Sequence, residues 1–186
     1  MVANHDVTAD DAGIEYAHRI QQGNTQTTRV GNRIVVTNIS VRGEFKYTTN
    51  DTGGCWVYLV LDKQANGAAP KWKDIFHENA GVNVGPAYLG YNQMYTNPNN
   101  ETRFQILKSW LLGYGNYSGV ANGMASKFFS CDLRTNIEVK YTGSSQNASI
   151  ADVGSNAIYL LAGHNSDAAQ GFANCSANVR LRYTDV

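Results

Sequence analysis

The sequence predicts an all-β protein: an eight-stranded antiparallel jelly-roll sandwich with long connecting loops and a short N-terminal helix or arm. Three observations carry this. Only 16% of residues are charged, while Gly, Asn, Thr, Ser and Tyr are abundant, a composition of strands and turns rather than helices. Apolar and polar residues alternate with period two in several long runs. Those runs are separated by Gly-, Asn- and Ser-rich segments, and such long, uneven connections favour a jelly roll over an up-and-down barrel.

Residues 1–18 contain Asp6, Asp10, Asp11 and Glu15 and neither Lys nor Arg. Thr8 with Asp11 three residues later resembles a helix start, although Gly13 opposes it, so a short helix or an arm is expected. The polar run 21–28 has no periodicity and reads as a linker. Residues 1–28 are therefore an N-terminal arm and linker, and 29–186 the jelly-roll domain.

The longest alternation ends at Tyr47. Val35, Thr37, Ile39, Val41, Gly43, Phe45 and Tyr47 share one face, and Asn38, Ser40, Arg42, Glu44 and Lys46 the other, with Gly43 as the expected bend. Cys55–Asp62 is apolar at nearly every position, which predicts a strand buried on both faces, the second covered by loops or by a neighbouring subunit. In the long insertion that follows, Pro70 opens a short helix through Phe76, with Trp72, Ile75 and Phe76 on one side. Arg103–Leu112 is the next strand. Cys131–Thr142 sets Leu133, Thr135, Ile137, Val139 and Tyr141 against Asp132, Arg134, Asn136, Glu138 and Lys140. Ala157–Ala162 is a short buried strand, and Cys175–Tyr183 closes the chain with Arg180 and Arg182 on its polar face. Weaker strands near Ala87–Leu89 and Phe128–Ser130 complete the eight.

Fifteen Lys and Arg balance fifteen Asp and Glu, so no whole-molecule field draws in nucleic acid or acidic lipid, and such a role needs a local patch. No secretion leader or membrane-length apolar run is read, and a soluble protein made inside the cell, with no membrane partner, is expected. Cys55, Cys131 and Cys175 are widely spaced and give no disulfide framework. His5, His18, His77 and His164 are scattered, which argues against a jelly-roll metalloenzyme, since metal catalysis needs several ligands converging on one ion. No nucleophile elbow or phosphate loop occurs, so no catalytic residues are assigned. Glu44, Asp132 and Glu138 lie beside basic residues, where cross-strand ion pairing explains them. One constellation is suggestive. Arg42, Lys46, Arg180 and Arg182 lie on the polar faces of the first and last core strands, which are neighbours in a jelly roll, and together they form one patch able to contact phosphates.

An ordered set of segments then points to a family: RVGNRI at 29–34, Ile39-x-Val41-Arg42-Gly43, an apolar strand ending in Asp62 that runs into NGAAP at 66–70, RFQIL at 103–107, and V-x-L-R-Y-T-D from Val179 to Asp185. Over about residues 20–186 the chain resembles the single jelly-roll capsid proteins of satellite tobacco necrosis virus and of circular Rep-encoding single-stranded DNA viruses. The resemblance implies a self-assembling structural protein of the virion, sixty copies in the simplest icosahedral T=1 shell, around a DNA or RNA genome. It also implies that Arg42, Lys46, Arg180 and Arg182 face that genome on the inner surface. Coat proteins of this kind usually carry an Arg- and Lys-rich N-terminal arm, from which residues 1–18 depart. No cofactor is required, but some relatives hold calcium between subunits, and Tyr183-Thr184-Asp185 matches such a segment, which makes Asp185 the expected ligand. The alternative reading is a carbohydrate-binding jelly-roll module, suggested by the aromatic and Asn residues between Tyr88 and Asn100.

Overall fold

In a computed structural model the described residues are 2–7, 14–16, 20–25, 28–47, 55–76, 96–112, 126–142, 149–164 and 173–186. Among them are nine strands: β1 (Val2–Val7), β2 (Ile14–Tyr16), β3 (Arg33–Tyr47), β4 (Cys55–Asp62), β5 (Phe104–Leu111), β6 (Ser126–Tyr141), β7 (Val153–Ser155), β8 (Ala157–His164) and β9 (Ala173–Asp185). They form two antiparallel sheets, one in the order β1-β9-β3-β6-β7 and the other β2-β8-β4-β5. The all-β class is as expected; the strand count is not eight. Phe128–Ser130 is the start of β6 rather than a strand of its own, because the alternation runs unbroken from Phe129 to Tyr141. Ala87–Leu89 lies outside the described residues.

The N-terminal expectation of a helix or an arm is corrected in part, residues 8–13, where the helix start was read, lying outside the described residues. Ile14 and Tyr16 belong to a strand, not a helix: β2 pairs with β8, and β1 pairs with β9. A short isolated helix closes few hydrogen bonds, whereas a strand laid on a sheet edge satisfies a row of N–H and C=O groups that the edge would leave open.

The polar/apolar split of β3 changes phase partway. Ile34 and Val36 point inward, then Ile39, Val41 and Phe45, all fully buried, so Val35 and Thr37 do not share the core face with Ile39. The bend lies at Thr37, not at Gly43. Between the paired levels Val36–Tyr183–Ile137 and Ile39–Leu181–Leu133, β9 has one intervening residue, β3 two and β6 three. Each added residue is a bulge, so the three strands fan apart and the sheet curves. Thr135, in the widest gap, donates its hydroxyl to the Val36 carbonyl at 2.7 Å and satisfies a group the irregular ladder leaves open.

Gly43 has a different task. A Cβ there would lie 2.2 Å from the Phe129 ring, so the missing side chain is what lets Phe129 bury itself across the ladder. Phe129 packs on Trp110 at 5.3 Å between centroids, and the Trp110 indole donates to the Ser130 carbonyl at 3.2 Å, tying the end of β5 to β6 and the two sheets to one another.

β4 is buried on both faces as its composition predicts. The cover is supplied within the chain: a one-turn helix α1 (Trp72–Ile75) and the following Phe76, all three expected apolar residues being buried. Trp72 and Phe76 pack on Tyr58 at 5.9 and 4.7 Å. The insertion carrying α1 is closed by Arg103, whose guanidinium makes a two-pronged contact at 2.9 and 2.8 Å with the fully buried Asp62 carboxylate.

Candidate nucleic-acid interface

The outward face of the five-stranded sheet is the candidate site. On β3, β6 and β9 its side chains include Arg33, Arg42, Lys46, Arg134, Lys140, Arg180 and Arg182 against Glu44, Asp132 and Glu138. On these three strands of a chain of zero net charge, seven cations therefore face three anions.

The partners decide which cations are available. Arg33 and Lys140 both reach Glu138, at 3.6 and 3.8 Å. Lys46 lies 3.4 Å from Glu44, whose carboxyl is held below its ordinary range first by a hydrogen bond from Ser126 and then by Lys46. Asp132 accepts a hydrogen bond from Ser40, its cross-strand partner. The side chains of Arg42, Arg134, Arg180 and Arg182 are exposed and make no ion pair or hydrogen bond with the described residues.

The register brings these four together. Arg180 is paired with Ser40, two residues from Arg42 along β3. Arg182 and Arg134 are both paired with Asn38, one on each side of it. Arg42 and Arg180 are diagonal neighbours, Arg180 and Arg182 alternate along β9, and Arg134 stands across β3 from Arg182 at two strand spacings, about 10 Å, so the four share one face. Of the expected residues, the side chains of Arg42, Arg180 and Arg182 have no partner among the described residues, while Lys46 is engaged by Glu44. Arg134 is an addition to the expected set. The polar alternation of β6 carries its signal, but only the β3–β6 ladder places it across Asn38 from Arg182.

Next to the array is a depression of about 670 Å³. Its floor is the main chain of Gly43, Phe129 and Ala177, three residues at one register level, and its walls include Arg42, Glu44, Phe128 and Asn178.

Asp185 lies elsewhere, at the chain terminus, where its carboxylate accepts from the Val30 N–H at 3.4 Å. Among the described residues no three or more His, Cys, Asp or Glu side chains gather as metal ligands.

A curved two-sheet sandwich with arginine side chains on one sheet face that have no partner among the described residues suits a shell subunit with nucleic acid on one side, and the match to known proteins gives that class directly: a viral coat protein. The chain belongs to the Geminivirus coat protein/nuclear export factor BR1 family, whose model matches residues 2–186. It is thus a capsid protein of the single-stranded DNA virus type, with its place in the virion, and the family is structural rather than enzymatic. No curated protein matches the chain. Most of the Tyr88–Asn100 segment behind the carbohydrate-binding alternative lies outside the described residues, and the family match favours the coat protein. No helix among the described residues is long and apolar enough to cross a membrane.

Proposed function

We propose that the chain is the repeating subunit of a closed icosahedral shell, rolled as a jelly roll, whose β1-β9-β3-β6-β7 sheet faces the packaged DNA. The observation that carries this is the array of Arg42, Arg134, Arg180 and Arg182, gathered by register and left without partners among the described residues. Guanidinium groups are held at such density where phosphate supplies the counter-charge. The pairing of β3 with β9 and of β4 with β8, first core strand with last and second with penultimate, supports the jelly-roll reading.

Copy number follows from mass. Sixty copies of a 20.3 kDa chain make a shell of about 1.2 MDa, whereas the twinned geminivirus particle of 110 copies makes one of about 2.2 MDa. Light scattering on purified particles separates the two.

The genome-facing reading is tested by replacing Arg42, Arg134, Arg180 and Arg182 with Ala together. The expected result is shells that still assemble but hold less nucleic acid by ultraviolet absorbance, with a salt dependence of DNA binding whose slope falls by about one for each phosphate no longer neutralised. Unchanged DNA content with an unchanged salt slope would overturn it.

A further inference from the structure

We infer that the depression beside the arginine array is a site for one unstacked nucleotide of a single strand, the base lying on the Phe128 ring and its phosphate on Arg42. This presupposes that the cationic face meets the genome, as proposed above, and adds the form the nucleic acid takes there.

Phe128 is the first reason. It is 77% exposed at the start of β6, on a face whose other outward residues there are Ser126, Ser130 and Asp132. An aromatic ring standing in water on a polar face leaves a large apolar surface uncovered, and nothing among the described residues covers it.

Register supplies the second. Phe128 and Ser176 flank Glu44 on either side, and one outward step along, Ser130 and Asn178 flank Arg42. The ring, an amide, two hydroxyls and a guanidinium therefore border one hollow with a main-chain floor. Its volume, about 670 Å³, lies within the range of small-ligand clefts, about 300 to 1,000 Å³. The Ser and Asn groups can hydrogen-bond a base edge, and the ring offers the stacking surface that every base can use.

Charge supplies the third. The anion in the wall, Glu44, is already met by Lys46 and Ser126, so it does not repel a phosphate as a bare carboxylate would. Arg180 and Arg182 continue from the level of Arg42 in two-residue steps along β9, about 6.6 Å apart, and form a track for the backbone on one side of the stacked base. A duplex can use that track, but its bases are stacked on one another and cannot reach Phe128. The site is therefore selective for single strands.

The test measures binding of a fluorescently labelled short DNA single strand, and of the same sequence as a duplex, to the full chain and to Phe128→Ala, Phe128→Trp and Arg42→Ala. Phe128→Ala is expected to weaken the single strand by about five- to a hundredfold and leave the duplex unchanged. Phe128→Trp keeps single-strand affinity, and its indole emission is quenched when the strand binds. Arg42→Ala weakens both forms. Because Phe128 is exposed, thermal melts of its variants should match the parent. Equal weakening of single strand and duplex with Phe128→Ala, or intact single-strand affinity with failed particle assembly, would overturn the site, the latter by making Phe128 a contact between subunits. Loss of DNA by the four-arginine variant together with no effect at Phe128 rejects this site alone; no effect of either rejects the genome-facing sheet as well.

Discussion

The Cβ that Gly43 lacks would stand 2.2 Å from Cζ of Phe129, on the neighbouring strand. That gap is smaller than any real carbon contact, so the glycine and the ring are one feature: β3 gives up a side chain and β6 fills the space. Gly43→Ala is expected to destabilise the protein by about 1 to 3 kcal/mol through overpacking. The double variant with Phe129→Leu should recover part of that deficit. Urea unfolding of the two single variants and the double variant forms the cycle, and additive effects would show the two positions to be independent.

Asp62 and Arg103 make a second pair whose worth can be measured. Asp62 is fully buried and also accepts from the Gln64 N–H at 3.0 Å, so removing its partner leaves a charge with too few donors. Arg103→Ala is expected to cost about 3 to 5 kcal/mol in chemical denaturation. Arg103→Lys should not restore it, because an ammonium cannot reproduce the two parallel bonds. Parent-like stability of Arg103→Lys would contradict this.

Arg29 is fully buried where the chain enters β3. Its guanidinium lies 4.0 Å from the Tyr141 ring centre and donates to the Gly31 carbonyl at 2.6 Å, pinning that entry against the end of β6. Arg29→Lys is expected to lower stability by about 1 to 2 kcal/mol, since Lys cannot supply the planar stacking or the fork of donors. Tyr141→Leu in the same background should cost less than in the parent, which thermal or urea unfolding of the three variants would check.

Alkaline pH should weaken the fold in a defined window. Burial pushes the Cys175 thiol from 9.0 up to about 12, and burial likewise raises the Tyr58 and Tyr141 phenols. The folded state thus holds these protons more tightly than the unfolded chain does. The stability they contribute is complete below the unfolded values and disappears as pH rises from about 9 toward 12. Melting temperature should fall with pH across that range, and Cys175→Ala should flatten the fall. The native thiol should also resist modification at mildly alkaline pH, reacting only on unfolding.

Much of the architecture could be read locally. The alternation in β6 and β9, the two-faced burial of β4 and the one-sided apolar turn at Trp72, Ile75 and Phe76 follow from side-chain period alone, and the structure repeats them. The first part of β3 could not be read this way, because Ile34, Val35 and Val36 are all apolar and fit either phase. The neighbouring strands choose, by the bulges they force between Val36 and Asn38.

Residue order alone establishes a neutral, strand-rich chain with cations at alternate positions of its first and last core strands, because the two-residue period is a property of each strand by itself. Three-dimensional pairing settles the rest: that residues 2–7 and 14–16 close sheet edges, that Arg134 joins Arg180 and Arg182 while Lys46 is taken by Glu44, and that Phe128 stands open beside Arg42. Those relations depend on which strands pair and in what register, and register is set by long-range packing and by bulges, which no single strand encodes.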